Sequence, residues 1–390
     1  MNPWLDLMVF AACTTGHVAL MVAILNRLQS RRVSRRGLKL LQVVHYGLVL
    51  AFPLLLSCLL LGSANWPTRS GFTEQRFLWL LPDFLRAYAC GCLVIAAVVP
   101  VVGLFRTCGP TPRALLSSRS DVCIFDASTD LPRSLAARVP GNQFREVEFN
   151  ERHLEIPRLP PAWDGLTILH ISDLHFTGNP ERAFFERVLQ RASEARPDLV
   201  AFTGDLLDRS ELRAWLPTTL GTLHAPLGCY YVLGNHDWSL GGVDDSRQQL
   251  SRLGWRNATA GCTLEHLGDA LTICGAETPW MGELPRLSTE TLSKSEFRLF
   301  LSHSPDAIAW ARSSAIDLML AGHTHGGQIR VPGLGPIYSP SLYGGRYASG
   351  LFWEQPTVLH VSRGVSGETP LRLNCRPEVT RLVLHAPPST

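Results

Sequence analysis

The sequence predicts an α/β domain preceded by an α-helical transmembrane region. Three long apolar runs fill the first third of the chain, and the remainder alternates short apolar strands with amphipathic stretches. Charged residues make up only 18% of the 390 residues, and the deficit lies almost entirely in that first third. We therefore expect a membrane region over residues 1–108, a linker over 109–143 with at most short elements, and a domain over 144–390.

The apolar runs are each long enough to cross a bilayer, which takes about 20 mainly apolar residues. They extend from about Met8 to Leu25, from Leu40 to Gly62 and from Ala87 to Phe105. Single runs of this kind could be buried core helices, but three in succession with polar or basic breaks indicate membrane spans. We expect about three transmembrane helices.

Basic residues mark the side on which the loops lie. The second loop contains Arg69, Arg76 and Arg86, whereas the first is richer in positive charge and contains Arg27, Arg31, Arg32, Arg35, Arg36 and Lys39. An excess of Lys and Arg is typical of cytoplasmic loops. With three full crossings the C-terminal domain then lies in the cytoplasm, and with one crossing fewer it lies on the other face.

Polar residues inside the spans are few. His17, Gln42 and His45 lie in the apolar runs, where polar groups often mark function. No dense set of charges accompanies them, which disfavours a transport pathway. We interpret them as interhelical hydrogen-bonding groups or as part of a site near the membrane interface.

Composition also disfavours two other classes of protein. A net charge of +3 is too small to indicate nucleic-acid binding, and no nucleic-acid partner is expected. The ten cysteines show no CxxC spacing. We expect free thiols in a reducing compartment rather than a disulfide framework or a zinc ribbon.

Potential metal ligands follow the apolar strands of the C-terminal part. An Asp or His in an otherwise unremarkable segment is usually structural, and we interpret His170, His224 and His266 in that way. Five short motifs in order, each after a strand, are much harder to explain by chance; they are Asp173-Leu174-His175, Gly204-Asp205, Gly234-Asn235-His236-Asp237, His303 and Gly322-His323-Thr324-His325. Ligands bind beyond the carboxyl ends of strands in such folds.

The motifs suit a metal centre. In Asp-x-His and His-x-His, residues two apart in an extended segment point the same way, so each pair can reach one ion. The glycines are expected to allow sharp turns at the strand ends. Carboxylate, amide and imidazole together suit Mn, Fe or Zn.

This set resembles the calcineurin-like metallophosphoesterases, whose pattern is DxH, GDxxD, GNH followed by D or E, a later H, and GHxH. The match covers roughly Glu146 to His385. The segments GHTHGGQIRVPGLGP, SPSLYGGRYASG and VSRGVSG further resemble the bacterial branch with N-terminal transmembrane segments. That branch includes phosphodiesterases of unsettled substrate and a UDP-2,3-diacylglucosamine hydrolase. The resemblance implies a four-layer αββα sandwich in an inner-membrane protein.

The resemblance also implies roles for individual residues. One divalent ion is expected on Asp173, His175, Asp205 and His325, with Asp205 bridging to a second ion held by Asn235, His303 and His323. Two such ions activate a water and clamp the phosphoryl oxygens. His236 is the candidate for protonating the leaving oxygen. Asp208 or Asp237 either orients His236 or caps a loop.

The expected function is metal-dependent hydrolysis of a phosphodiester or pyrophosphate bond, with a lipid-linked phosphorylated substrate at the membrane. The membrane region motivates the lipid part, because a soluble substrate gives no reason to hold the enzyme at a bilayer. The alternatives are a non-catalytic membrane sensor or scaffold that uses the fold for binding, and a soluble nucleotide phosphodiesterase. The segment GDLLDRSE lacks the pattern of protein phosphatases. No family role is assigned to the loop from Glu277 to Pro285.

Overall fold

The N-terminal part of the chain forms three long helices. The computed structural model describes residues 3–64, 78, 81–107, 114–125, 135–266, 268–287 and 296–388. The helices are α1 (Pro3–Gln29), α2 (Arg35–Ala64) and α3 (Asp83–Thr107). All three are long and apolar enough to cross a membrane, as predicted. Each helix extends a few residues beyond its predicted apolar run at both ends.

A buried histidine joins the three helices. His17 of α1 donates from Nε2 to the carbonyl oxygen of Leu48 in α2 (3.1 Å). Its Nδ1 then accepts from the hydroxyl of Tyr88 in α3 (2.6 Å). The interpretation of His17 as an interhelical hydrogen-bonding group is confirmed. In an apolar surrounding such bonds satisfy polar groups that would otherwise lack a partner.

The rest of the described chain is built from strands and four shorter helices. The strands are β1 (Leu115–Ile124), β2 (Glu146–Glu155), β3 (Thr167–Ile171), β4 (Leu199–Thr203), β5 (Cys229–Val232), β6 (Trp255–Asn257), β7 (Cys262–His266), β8 (Asp269–Ala276), β9 (Glu296–Ser302), β10 (Leu318–Ala321), β11 (Arg330–Val331), β12 (Gly335–Pro336), β13 (Gly350–Glu354), β14 (Thr357–Val361) and β15 (Glu378–His385). The helices are α4 (Arg182–Ser193), α5 (Asn235–Leu240), α6 (Val243–Arg252) and α7 (Ile308–Ser313).

Two mixed sheets form the centre of the domain. The first has the order β1-β2-β15-β3-β4-β5-β6, and the second has the order β13-β14-β10-β9-β8-β7. Strands β3 to β6 are parallel to one another, as are β8, β9, β10 and β14. The short strands β11 and β12 pair separately as a hairpin.

Three apolar clusters hold the layers together. Residues such as Ile168 and Val232 of the first sheet pack against Leu299 and Leu320 of the second, with no exposed surface. Phe185 of α4 covers the outer face of the first sheet, and α7 covers that of the second. The layer order is therefore helix, sheet, sheet, helix, as predicted. Burial on both faces explains why the central strands are continuous apolar runs.

Strand β1 lies where a linker with at most short elements was expected. It has ten residues and pairs antiparallel with β2, from Leu115 opposite Leu154 to Ile124 opposite Glu146. The expectation was wrong for this stretch. β1 is an edge strand that is exposed along almost its whole length, so its sequence lacks the alternation that buried strands show.

Parallel strands of both sheets end at one common rim. Strands β3, β4 and β5 deliver the first three metal motifs there, and β9 and β10 deliver the other two. Because the sheets pack face to face, side chains that are far apart in sequence converge at this rim.

Candidate metal centre

The predicted ligand residues lie together. Potential ligand atoms of Asp173, His175, Asp205 and His325 lie within 4.8 Å of one another, and so do those of Asp205, His303 and His323. Asp205 therefore belongs to both sets. The seventh predicted ligand, Asn235, has its Oδ1 atom 3.0 Å from Nε2 of His303. Both aspartates are buried. Asp173 is 0% exposed, and Asp205, which belongs to both sets, is 1% exposed.

The backbone at the centre is left-handed rather than extended. The φ angles are 53° at Asp173, 45° at His175, 54° at Asp205, 70° at His323 and 50° at His325. The expectation that paired ligands converge from an extended segment was therefore wrong. Residues other than glycine adopt this region at a cost of about 1–3 kcal/mol, and such strain is typical of functional sites. The strained turns aim the side chains at one point.

The motif glycines serve mainly to leave space. A Cβ atom at Gly234 would lie 2.1 Å from Oδ1 of Asp205, and one at Gly322 would lie 1.8 Å from Oγ of Ser172. Gly204 has φ +94°, so it alone among these three requires the conformational freedom of glycine. Close approach of the loops, rather than a sharp turn, explains Gly234 and Gly322.

Oxygen acceptors orient the histidine rings. His303 donates from Nδ1 to the carbonyl oxygen of Thr203 (2.7 Å), and His325 donates from Nδ1 to that of Ser366 (3.2 Å). His175 donates from Nδ1 to Oδ2 of Asp208 (2.7 Å). With Nδ1 held in this way, Nε2 is left to face the centre. This is the arrangement that orients imidazole ligands of metal ions.

The donor set fits a divalent cation. The Nε2 atoms of His175 and His323 are buried and have no hydrogen-bond partner among the described residues. Burial, followed by repulsion from His303, holds the pKa of His323 well below its usual value. Burial by itself lowers the pKa of a histidine, but the neighbouring carboxylates raise the pKa of His175 well above its usual value and that of His303 to about 9. A metal ion would therefore take the place of protons on these two rings, since imidazole binds metal in its neutral form. Two buried carboxylates that share this space require positive charge. The cluster is therefore able to bind metal.

Asp208 serves two histidines at once. Its Oδ2 accepts from His175, and its Oδ1 lies 2.5 Å from Nδ1 of His236. Burial by itself lowers the pKa of His236, but the carboxylates of Asp205 and Asp208 raise this pKa above its usual value. His236 is 20% exposed in its side chain, and it faces a cavity. Such a ring can hold a proton and deliver it to a bound group.

Asp237 has a different environment. Its carboxylate accepts from the backbone N–H groups of Leu206, Leu207 and Gly234, at 2.9 to 3.2 Å. Of the two carboxylates considered for orienting His236, the structure brings Asp208 to the ring and places Asp237 on the backbone of two loops. We therefore carry only Asp208 forward as the partner of His236.

We expect Asp208→Asn to lower kcat by about 10- to 100-fold and to weaken metal binding, since an amide cannot accept from both imidazoles. The measurement is turnover of a small phosphodiester together with bound metal per chain. Asp121→Asn, an exposed aspartate on the edge strand β1, is the matched control. Unchanged activity and metal content in Asp208→Asn would contradict this role.

Sequence reasoning missed what lies behind the first ligand. A Cβ atom at Gly364, where φ is +71°, would lie 2.5 Å from the Cβ of Asp173. The N–H groups of Val365 and Ser366 donate to the carbonyl oxygens of Ser172 and Asp173. This loop follows β14 and belongs to the VSRGVSG segment. The VSRGVSG segment resembles the bacterial branch of the family, but its residue pattern does not predict this structural role.

A buried ion pair holds that loop. Glu378 of β15 accepts from Arg363 (2.9 Å from Nε, 2.6 Å from Nη2) and from Asn150 (2.9 Å). Arg152 lies 3.8 Å away. Burial by itself raises the pKa of Glu378, but Arg363 and Arg152 together lower this pKa to about 2. A carboxylate whose pKa is lowered on folding stabilises the fold above its unfolded pKa and loses that effect as the pH falls.

Glu378→Gln should lower the free energy of unfolding by an amount on the order of 3 kcal/mol at pH 7, since it removes the fully buried one of the two carboxylates that pair with Arg363. The other carboxylate, that of Glu148, is more exposed. The difference between the two proteins should be constant above about pH 5. The difference should shrink as the pH falls from about 4.5 towards 2, because Glu378 of the wild type then becomes protonated and neutral, as the glutamine of the variant already is. Thermal unfolding in detergent at several pH values measures it. A difference that is independent of pH down to 3 would contradict the assignment.

Trp280 lies in the loop to which no family role was assigned, and it packs against the centre. It is 2% exposed and packs edge-on against His303 and His323, with ring centroids 5.5 and 4.9 Å apart. Neighbouring Glu277 is buried, accepts from the N–H of Leu233 (2.8 Å) and pairs with Arg247. This loop thus forms a wall behind the second ligand set. A lone tryptophan in a loop gives no sequence signal for this position.

The centre opens into a cavity of about 590 Å³. Asp205, His236 and Trp280 lie on its domain side. Its other wall comes from the membrane region, namely from the last turns of α1, the loop that follows and the first half of α2. The catalytic domain therefore faces the end of the helical hairpin that carries the basic first loop.

Fold and site together define a class of protein. Two packed sheets that bring Asp, Asn and His side chains together at one rim are the framework of a metal-dependent phosphoesterase. The model of the calcineurin-like phosphoesterases matches residues 166–327. The chain belongs to this family and is a hydrolase.

Relatives with curated names support the assignment. The chain is 31% identical over 247 residues to the uncharacterized metallophosphoesterase YkuE of Bacillus subtilis, covering 61% of this chain and 85% of the relative. It is 32% identical over 231 residues to the phosphodiesterase YaeI of Escherichia coli, covering 56% and 81%. It is 26% identical over 273 residues to the UDP-2,3-diacylglucosamine pyrophosphatase LpxG of Chlamydia trachomatis, covering 55% and 82%.

Proposed function

We propose that the protein hydrolyses a phosphodiester or pyrophosphate bond in a lipid-linked substrate, using two divalent ions such as Mn, Fe or Zn. The observation that carries the proposal is the pair of ligand sets that share Asp205. Asp173, His175 and His325 would hold one ion with Asp205, and Asn235, His303 and His323 would hold the other. When bound, the two ions supply positive charge for the phosphoryl oxygens and activate a water.

The protein's own residues then position the catalytic side chains and protonate the leaving oxygen. Asp208 fixes the His236 ring through Nδ1, so Nε2 is free to give a proton to the leaving oxygen. The backbone N–H of His236 donates to Oδ1 of Asp205 (2.9 Å), which keeps this loop at a fixed distance from the shared ligand. Trp280 covers one side of the centre with an apolar surface and excludes water there.

The proposed location is the cytoplasmic face of the inner membrane. Asn26 near the end of α1 accepts from the N–H of Ser339 (3.0 Å), and Gly103 near the end of α3 lies against Leu334. The domain thus lies at the same end of the helices as the basic first loop. Since excess Lys and Arg favours the cytoplasmic side, we place the domain there.

A substrate comparison tests the proposal. The full-length chain in detergent with Mn²⁺ should cleave bis-p-nitrophenyl phosphate faster than p-nitrophenyl phosphate. It should also cleave UDP-2,3-diacylglucosamine in mixed micelles at least about 10-fold more efficiently than UDP-N-acetylglucosamine, because only the former has acyl chains to bury. Equal or better cleavage of the soluble sugar nucleotide would favour a soluble nucleotide phosphodiesterase instead.

A further inference from the structure

The membrane hairpin is fixed to the catalytic loops by specific contacts. Asn26 of α1 is only 4% exposed and accepts from the backbone of Ser339. The guanidinium of Arg32 lies over the ring of Trp238 at 5.4 Å. Trp238 is two residues beyond His236 on α5. The end of the hairpin is thereby held beside the residue that we place at the leaving group, so hairpin side chains can take part in binding.

Positive charge in the cavity wall comes from the hairpin. The Lys and Arg residues that line the described cavity are Arg31 in the first loop and Lys39 near the start of α2. Both are exposed. Glu368, on the domain side, is the acidic residue of the wall outside the ligand sets. An anionic group that enters from the membrane side thus meets Arg31 and Lys39 first.

The cavity wall includes residues that belong to two candidate membrane spans. Val22 lies seven residues before the end of the candidate span Trp4–Gln29, and Tyr46 lies nine residues after the start of the span Gly37–Leu61. At 1.5 Å per residue these positions are about 10 and 13 Å inside the spans. The headgroup layer on each side is only about 5–8 Å thick. Val22 and Leu25 give this deeper part of the wall an apolar surface.

We propose that α1 and α2 form part of the substrate site, in which Arg31 and Lys39 bind the anionic headgroup of a membrane lipid. The start of an acyl chain lies against Val22 and Leu25, and the headgroup phosphate reaches the metal centre from the bilayer side. The transmembrane region is then a specificity element as well as an anchor. This inference rests on the proposed hydrolase function and adds the part of the membrane region that would bind the lipid substrate.

Phosphatidic acid is a suitable probe because it offers a phosphate on two acyl chains, and glycerol 3-phosphate offers the same phosphate without them. Binding of each to the Mn²⁺-loaded full-length protein in neutral detergent micelles is measured directly with radiolabelled ligand. Inhibition of bis-p-nitrophenyl phosphate hydrolysis gives a second readout. The variants are Arg31→Gln with Lys39→Gln, and the matched control Arg27→Gln. Arg27 is exposed on α1, where its guanidinium donates to the carbonyl oxygen of Ala23.

The wild type should bind phosphatidic acid more tightly than glycerol 3-phosphate. The double variant should lose about 10-fold or more of its affinity for phosphatidic acid. It should retain the Mn²⁺ content of the wild type, which shows that the centre is intact, and Arg27→Gln should behave as the wild type in both readouts. Equal affinity for the two probes in the wild type, or equal losses in the double variant and Arg27→Gln, would overturn the inference. A wild type that binds phosphatidic acid selectively but hydrolyses no phosphoester would refute the proposed function and leave the lipid site standing.

Discussion

Asp205→Asn is expected to abolish turnover, with a loss of more than about 100-fold in kcat. Asp205 belongs to both ligand sets, and its Oδ2 lies 3.3 Å from Nε2 of His175 and 3.2 Å from Nε2 of His303. An amide removes the negative charge that both ions would share. Loss of a mere hydrogen-bonding partner of a metal ligand already costs about 10- to 100-fold, so a shared ligand should cost more.

The measurement for Asp205→Asn is hydrolysis of bis-p-nitrophenyl phosphate with Mn²⁺, alongside the metal content of the purified chain. Both should fall together. Asp121→Asn, which is exposed on β1, should change neither. Full activity in Asp205→Asn would show that the cluster is not the reaction centre.

His236→Ala should have the second-largest effect, a decrease in kcat of about 10²- to 10⁴-fold with the metal content preserved. His236 belongs to neither of the two ligand sets that share Asp205; its ring lies beside His175 and is oriented by Asp208. Its removal should therefore take away proton delivery without releasing metal. The effect should be smaller for a substrate whose leaving group is as acidic as p-nitrophenol, since such a group departs without a proton.

Metal analysis and turnover of both an activated and an alkyl phosphodiester test His236→Ala. His224→Ala, a change of an exposed histidine away from the centre, is the matched control. If His236→Ala lost metal in proportion to activity, His236 would act as a ligand rather than as a proton donor. If it lost nothing, the non-catalytic scaffold hypothesis would regain weight.

The sequence predicted those parts of the fold that are buried on both faces. The apolar runs that became β3, β4, β9 and β10 are visible because nearly all of their side chains are buried and most of them are apolar. β1 escaped prediction because it is an exposed edge strand. The three membrane helices were visible for the same reason as the central strands, since a bilayer imposes a long apolar run.

The sequence predicted which residues form the site, but it did not predict their geometry. Five motifs after five strands identified the residues that the structure brings together, from Asp173 to His325. The motifs did not predict that the backbone at Asp173 and His323 is left-handed, because Asp and His adopt a positive φ at only a minority of their positions. Contacts between distant segments were also hidden. The approach of Gly364 to Asp173 depends on a loop almost 200 positions further along the chain.

The cavity wall was the least predictable feature. Gln42 was interpreted as an interhelical hydrogen-bonding group or as part of a site near the membrane interface, and it lines the cavity. That Arg31, Lys39 and Tyr46 lie over the metal centre depends on how the hairpin docks on the domain. Topology rules place the basic loop on a membrane face, but they do not say what the loop touches.

The most direct test of the account is the turnover of bis-p-nitrophenyl phosphate by the full-length protein as a function of the number of Mn²⁺ ions bound per chain. We predict that chelator-treated, folded protein is inactive, and that activity rises with added Mn²⁺ until two ions are bound and then levels off. Activity that survives complete removal of metal would contradict the central claim. So would a folded protein that holds two Mn²⁺ ions and cleaves neither this diester nor a pyrophosphate.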